Sequence, residues 1–168
     1  MEGKRHTLSV WFVPALRLMI GLAFFRVGLD RVLSGEVGAP GYPGNAPAAN
    51  GSPAAGLFAA IGENALFVDF ASVAVPWGEV LIGLGAIAGL LTRLVAFWGA
   101  FMVLLFYLGD GDVSHGYING GFAYVLVFPS VAAFGAGRIL GLGSDVEAYE
   151  VGGQPLVERY PRTRYRLG

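Results

Sequence analysis

The chain has 168 residues, of which 55 % are hydrophobic and 14 % charged, with a net charge of −1 and no cysteine. An ordinary soluble domain is about a quarter charged, so this chain lacks the polar surface to coat a globule of its size, and lipid must cover the rest. The missing cysteines exclude disulfides, thiol-redox chemistry and thiolate metal sites.

Four long apolar stretches follow in chain order, at about 11–33, 71–91, 94–108 and 118–140. A helix needs roughly 20 residues to cross the hydrocarbon core. Three stretches meet this directly. The third meets it if Thr92, Arg93 and Gly109 join it, and the Leu91-Thr92-Arg93-Leu94 link is then a tight hairpin between the second and third helices. Lys4, Arg5 and His6 before the first stretch look like the start of a signal peptide. Arg17 and Arg26 interrupt the apolar run, however, and no small-residue cleavage site follows, so the segment reads as a retained first helix. Many of the 27 glycines fall inside the apolar stretches, where small residues let membrane helices approach closely.

Between the first two stretches, residues 35–52 are rich in Gly, Pro, Ala and Asn and read as an irregular loop. Ser52-Pro53 then resembles an N-cap followed by a proline at the first helical position. Leu57, Phe58, Ile61 and Ala65 continue at helical spacing. This short amphipathic helix either lies on the membrane surface or packs over the bundle. In the fourth stretch Pro129 is expected to kink the helix. Trp77, Tyr107 and Tyr117 fit an outer aromatic belt and Trp11 an inner one. The expected fold is an all-α membrane protein, a four-helix bundle over residues 1–142, followed by a polar tail at 143–168. The basic tail either rests on anionic headgroups or is solvated.

Lys and Arg set the orientation. Lys4, Arg5, Arg93, Arg138, Arg159, Arg162, Arg164 and Arg166 fall on one side. The other holds only Arg31, beside Glu36, Glu63, Asp69, Asp110 and Asp112. The basic side, with both termini, is therefore expected to be cytoplasmic in a multi-pass protein of the cell membrane.

Ionisable groups at membrane depth are costly, and are usually functional or paired. At about 1.5 Å per residue, Arg26 sits about 20 Å into the first helix, and Glu79 about 18 Å from the same face in the second. These matching depths make Arg26 and Glu79 the expected intramembrane pair, with Asp30 one turn from Arg26. The pair is either a working polar site or a salt bridge that fixes packing. A carboxylate in low dielectric beside an arginine suits proton exchange. Arg17 lies about 180° around the helix from Arg26, and shares a stripe with Gly21, Phe24, Gly28 and Arg31. It either snorkels to the interface or turns inward. Both faces of the first helix thus carry polar groups, and the helix is expected to be central.

In the loop before the fourth stretch, His115 is the one histidine near the membrane, a candidate proton donor or acceptor. One histidine cannot supply two axial haem ligands. Asp110, Asp112 and His115 match no established metal site, so neither haem nor metal is expected. Asn119 can hydrogen-bond across the bundle. No phosphate-binding loop, dinucleotide fingerprint, nucleophile elbow or zinc motif is present.

The run Val75-Pro76-Trp77-Gly78-Glu79-Val80-Leu81-Ile82-Gly83-Leu84, with Gly89-Leu90-Leu91-Thr92-Arg93, resembles the DoxX family. So does Arg17-Leu18 with Gly21, Phe24, Gly28 and Arg31. His115-Gly116-Tyr117-Ile118-Asn119-Gly120 and Phe134-Gly135-Ala136-Gly137-Arg138 look like the branch related to the small subunit of thiosulfate:quinone oxidoreductase. The resemblance spans residues 16–142. It implies a four-helix membrane bundle with a role in quinone-linked oxidation of sulfur compounds or in oxidative-stress handling. Glu79 and His115 are then the candidate catalytic residues. Arg17, Arg26, Arg93 and Asn119 are the candidate binding residues, quinone the cofactor, and a larger redox-complex subunit or a homo-oligomer the partner. No nucleic-acid partner is expected. A non-catalytic accessory scaffold and a small-solute or lipid transporter are the alternatives.

The orientation has a direct test. Alkaline phosphatase, active only outside the cytoplasm, is expected to be inactive when fused after Gly168 and active when inserted between residues 40 and 45. The opposite pattern would reverse the topology.

Overall fold

The computed structural model describes residues 2–35, 51–110, 118, 120–134, 141–150, 158 and 160. The described residues are helical: α1 (Glu2–Ser34), α2 (Ala55–Gly62), α3 (Ala65–Ala88), α4 (Thr92–Asp110), α5 (Gly120–Ala133) and α6 (Gly143–Ala148). Three segments are long and apolar enough to cross a membrane: Trp11–Ser34 in α1, Ala65–Ala88 in α3 and Thr92–Gly109 in α4. Helix α5 is apolar but has only 14 residues, about 21 Å at 1.5 Å per residue.

The contact between α1 and α3 is the most extensive in the molecule, and glycine makes it possible. A Cβ built at Gly28 falls 2.7 Å from both the Glu79 Cβ and the Val80 nitrogen, and 2.9 Å from the Pro76 oxygen. One built at Gly21 falls 3.0 Å from the Ala86 Cβ and the Ile87 nitrogen. From the other side, Gly83 of α3 lies against the backbone of Phe25, 2.6 Å from its Cα by the same measure. Rising numbers on α1 meet falling numbers on α3, so the two helices run antiparallel. Backbone meets backbone, the arrangement that gives membrane helices dispersion contacts where lipid removes the hydrophobic drive.

Helix α3 starts at Ala65, six residues earlier than its apolar run suggests. Asn64 caps it, its side-chain oxygen accepting from the Phe67 N–H at 3.1 Å. An apolar pattern cannot register this turn, because Asp69 and Ser72 interrupt it. The helix ends at Ala88. Gly89 takes a left-handed conformation (φ 66°), its N–H bonds the Ala86 carbonyl, and the Leu90 N–H bonds the Gly85 carbonyl. This is the Schellman arrangement. Leu91 is also left-handed (φ 52°), so residues 89–91 reverse the chain into α4, and Thr92 and Arg93 belong to that helix rather than to the hairpin.

Four helices supply one core: Ile20 from α1, Ile82 from α3, Ala96 and Val103 from α4, and Phe128 from α5. The Phe128 ring lies in the space left by Gly99 and meets Phe24 edge-on, centroids 5.1 Å apart. A second cluster joins Val13 of α1 to Val131 of α5. Helix α1 thus has two neighbours and one open side. Pro129 stands inside α5, which ends at Ala133, short of the expected 140; residues 135–140, including Arg138, lie outside the described ones.

The outer surfaces of α1, α3 and α4 are apolar. Leu22, Leu81, Phe97 and Trp98 all stand exposed, a surface that is favourable against lipid or another apolar surface and not against water. Trp11 and Trp77 share this exposure, whereas Tyr107 does not fit a belt: it is buried against Phe122, ring centroids 5.9 Å apart.

Helix α2 packs over the end of the bundle instead of leaving it for the membrane surface. Phe58 is buried, and the Ser52 hydroxyl donates to the Leu108 carbonyl at the end of α4. Ser52 is therefore not the N-cap. Its oxygen accepts from the Ala54 N–H, and Ala54 occupies the cap position with no side-chain bond. The tail also begins docked: Leu142 and Gly143 donate their N–H groups to the carbonyls of Ala88 and Gly89 at the end of α3.

Replacing Gly28 or Gly83 by alanine forces backbone apart from backbone and is expected to cost about 1–3 kcal/mol. The same change at Gly56 of α2, which has nothing within 4 Å of its missing Cβ, is expected to be neutral or to stabilise by up to ~1 kcal/mol. Thermal unfolding in one detergent measures all three.

Candidate functional site

The α1 face that meets α3 carries an arginine at each end. Arg17 and Arg31 are 14 residues apart, which at about 100° per residue returns to nearly the same face, about 21 Å along the axis. Side chains on a helix lean toward its N terminus, so Arg31 reaches back over Gly28, the level at which Glu79 crosses. There the Arg31 Nη1 donates to the Glu79 Oε1 at 2.7 Å, a charge-assisted bond. Glu79 is 3 % exposed, whereas the Arg31 side chain is 43 % exposed. The Arg31 guanidinium also stands 5.9 Å from the centroid of the Phe106 ring on α4, within cation–π range. The second carboxylate oxygen of Glu79, Oε2, is buried with no hydrogen-bond partner among the described residues.

The partner of Glu79 is therefore Arg31 and not Arg26. Depth alone favoured Arg26, but the rotation of α1 about its axis decides against it. Gly21 and Gly28 fix which face of α1 meets α3, and Arg26 lies on the opposite one, exposed together with Asp30. The stripe of Arg17, Gly21, Phe24, Gly28 and Arg31 was the sequence signal for the true pair: glycines on a face bearing two arginines mark the side a neighbour approaches.

At the other end Arg17 turns inward and is 1 % exposed. Its guanidinium packs against Gly89, where a Cβ would fall 2.8 Å from the Arg17 Cζ and 2.7 Å from the Gly141 Cα. Gly89 thus serves twice, as the left-handed cap of α3 and as the space for a cation. The C-terminal end of a helix carries partial negative charge, so the buried guanidinium sits where that field favours it. Ile20, Ala86, Thr92, Phe128 and Val131 line the same place, and the space among them holds no water-sized cavity. The Thr92 hydroxyl is buried there, without a hydrogen-bond partner among the described residues.

The candidate residues thus separate. Glu79 lies with Arg31 and Phe106. Arg17 lies about 17 Å away along the axis, near the hairpin where Arg93 stands exposed. Arg26 is on the outer face of α1. His115 and Asn119 lie outside the described residues, as do Asp112 and Tyr117. Among the described residues no cluster of three His, Asp or Glu side chains gathers to hold a metal.

Among the described residues the fold and the site define a class: an all-helical protein with three membrane-length apolar helices, a lipid-facing exterior and, between two of those helices, an ion pair of a buried carboxylate with a partly exposed arginine. No family model, curated protein or solved structure matches the chain.

A double-mutant cycle separates the two arginines. Arg31→Ala strands the buried carboxylate and is expected to cost about 1–3 kcal/mol. Its coupling to Glu79→Gln should be about 0.5–3 kcal/mol, against less than ~0.5 kcal/mol for Arg26→Ala with Glu79→Gln. Coupling of Arg26 equal to that of Arg31 would contradict the pairing.

Proposed function

We propose that this chain is a DoxX-like membrane subunit associated with quinone-linked oxidation. In this reading it crosses the bilayer four times, α5 belonging to the last span, with both termini cytoplasmic. The observation that carries the functional part is the Glu79 Oε2 atom. It is a buried carboxylate oxygen, without a hydrogen-bond partner among the described residues while its twin is held by Arg31.

Buried polar atoms are ordinarily satisfied, so one left open beside a cation fits a polar headgroup presented by an otherwise apolar molecule. A quinone meets that description, and when bound it supplies two-electron, two-proton redox chemistry. The residues present fit such a group. Arg31, a donor with no acceptor capacity, is half-exposed and can orient a carbonyl oxygen. The Glu79 carboxylate can hold or release a proton at Oε2. Phe106 offers a ring face beside them, and the apolar exterior of α1, α3 and α4 suits an isoprenoid chain arriving through lipid. His115 and Asn119 keep their proposed roles of proton exchange and headgroup binding, while Arg31 takes the place expected of Arg26.

A second reading, a non-catalytic accessory subunit, is favoured by the close filling of the space between α1, α3, α4 and α5 around Arg17.

Purified protein in lipid nanodiscs, titrated with a short-chain quinone, distinguishes the two. Wild type is expected to bind. Glu79→Gln keeps the shape and loses the proton, so binding should change little while quinone-dependent turnover in native membranes falls by about 10²–10⁴-fold. Unchanged turnover would sink the proton role of Glu79, and no binding by wild type would leave the accessory reading.

A further inference from the structure

The open side of α1 carries a pattern that the inward-facing site does not use. Ala15, Met19, Leu22, Arg26, Leu29 and Leu33 alternate at spacings of four and three residues, and every one is exposed. This is the 3.5-residue repeat of a helix seam. It lies opposite the glycine face, so α3 cannot be what covers it.

Within the seam stands a cation, and one turn away an anion. The midpoint of Trp11–Ser34 falls between Leu22 and Ala23, placing Arg26 about 5 Å and Asp30 about 11 Å beyond it. Both are exposed, and among the described residues no ion pair joins them to each other or to anything else. Escape to water is unfavourable for Arg26. The nearer helix end is Ser34, and a helical side chain leans the other way, toward the N terminus and here toward the bilayer centre. A charge at that depth facing hydrocarbon is costly, and such groups ordinarily face protein and pair. An outward Arg26 with an outward Asp30 therefore calls for a partner that offers an anion and a cation in the same order.

The chain itself offers that. We propose that this face of α1 is a homodimer interface in which Arg26 of one copy pairs with Asp30 of the other. Two copies inserted the same way are related by a two-fold axis along the membrane normal, which sets their α1 helices parallel. Each copy then contributes one cation and one anion, and two equivalent bridges form. The offset of four residues is about 6 Å, a distance that an extended arginine side chain spans. Ala15, Leu22 and Leu29 supply the apolar contacts along the seam, and the polar pair fixes its register, as a single polar seam position does in coiled coils.

The chain has no cysteine, so single cysteines report directly. Leu22→Cys and Leu29→Cys replace exposed leucines and leave the α1–α3 contact untouched. Oxidised with copper phenanthroline in native membranes, the full chain is expected to form dimers at these positions several-fold more than at Leu81→Cys on α3 or Phe97→Cys on α4. In the Leu22→Cys background, Arg26→Asp and Asp30→Arg are each expected to reduce the dimer several-fold, and the double exchange to restore it. Equal cross-linking at all four positions, monomer only, or adducts solely with a different protein would each overturn the interface. Single exchanges without loss, or a double exchange without recovery, would overturn the pairing.

Discussion

The contact of α1 with α3 is the constraint on which the molecule depends. In lipid, two apolar helices gain nothing from hiding apolar surface, so they hold together only where backbones come close enough for dispersion and polar contacts to act. Gly21 and Gly28 on one helix and Gly83 on the other permit that approach. An arginine closes each end, Arg31 on the Glu79 carboxylate and Arg17 at the C terminus of α3. The glycines bring the charges within reach, and the charges fix the register at which the glycines meet. Neither device would select one alignment alone, because a run of small residues can slide and a long arginine side chain can reach several positions.

The same contact orders the rest of the chain. It turns Arg26 and Asp30 outward and gives α1 a face that lipid covers poorly. It places Gly89 against Arg17, so the cap of α3, the hairpin into α4 and the docking of residues 141–143 all converge on one buried cation. At the opposite end Glu79 is left with one oxygen engaged and one open, beside the partly exposed Arg31 and the Phe106 ring. One end of the α1–α3 contact is thus closed and filled, while the other retains unused polar capacity.

Helix α2 and the tail show how local signals are redirected by distant partners. Ser52-Pro53 carries the residues of a helix start, yet the Ser52 hydroxyl serves the Leu108 carbonyl in the last turn of α4. The start of the tail likewise donates to Ala88 and Gly89, carbonyls that a helix end cannot satisfy internally. In both cases an unsatisfied backbone group claims a segment that local pattern would assign to the surface.

The sequence by itself determined the all-helical, lipid-facing character, since the apolar length of the α1, α3 and α4 segments and the scarcity of charge permit little else. It also determined that Glu79 must meet an arginine, because an isolated carboxylate at that depth is too costly, and its glycine stripe already marked the packing face of α1. Only the tertiary structure decided which arginine. That choice rests on the rotation of α1 about its axis, which a depth count along single helices does not contain. The turn of Arg26 away from Glu79 has the same origin: depth is a property of one helix, whereas inward and outward exist only between helices.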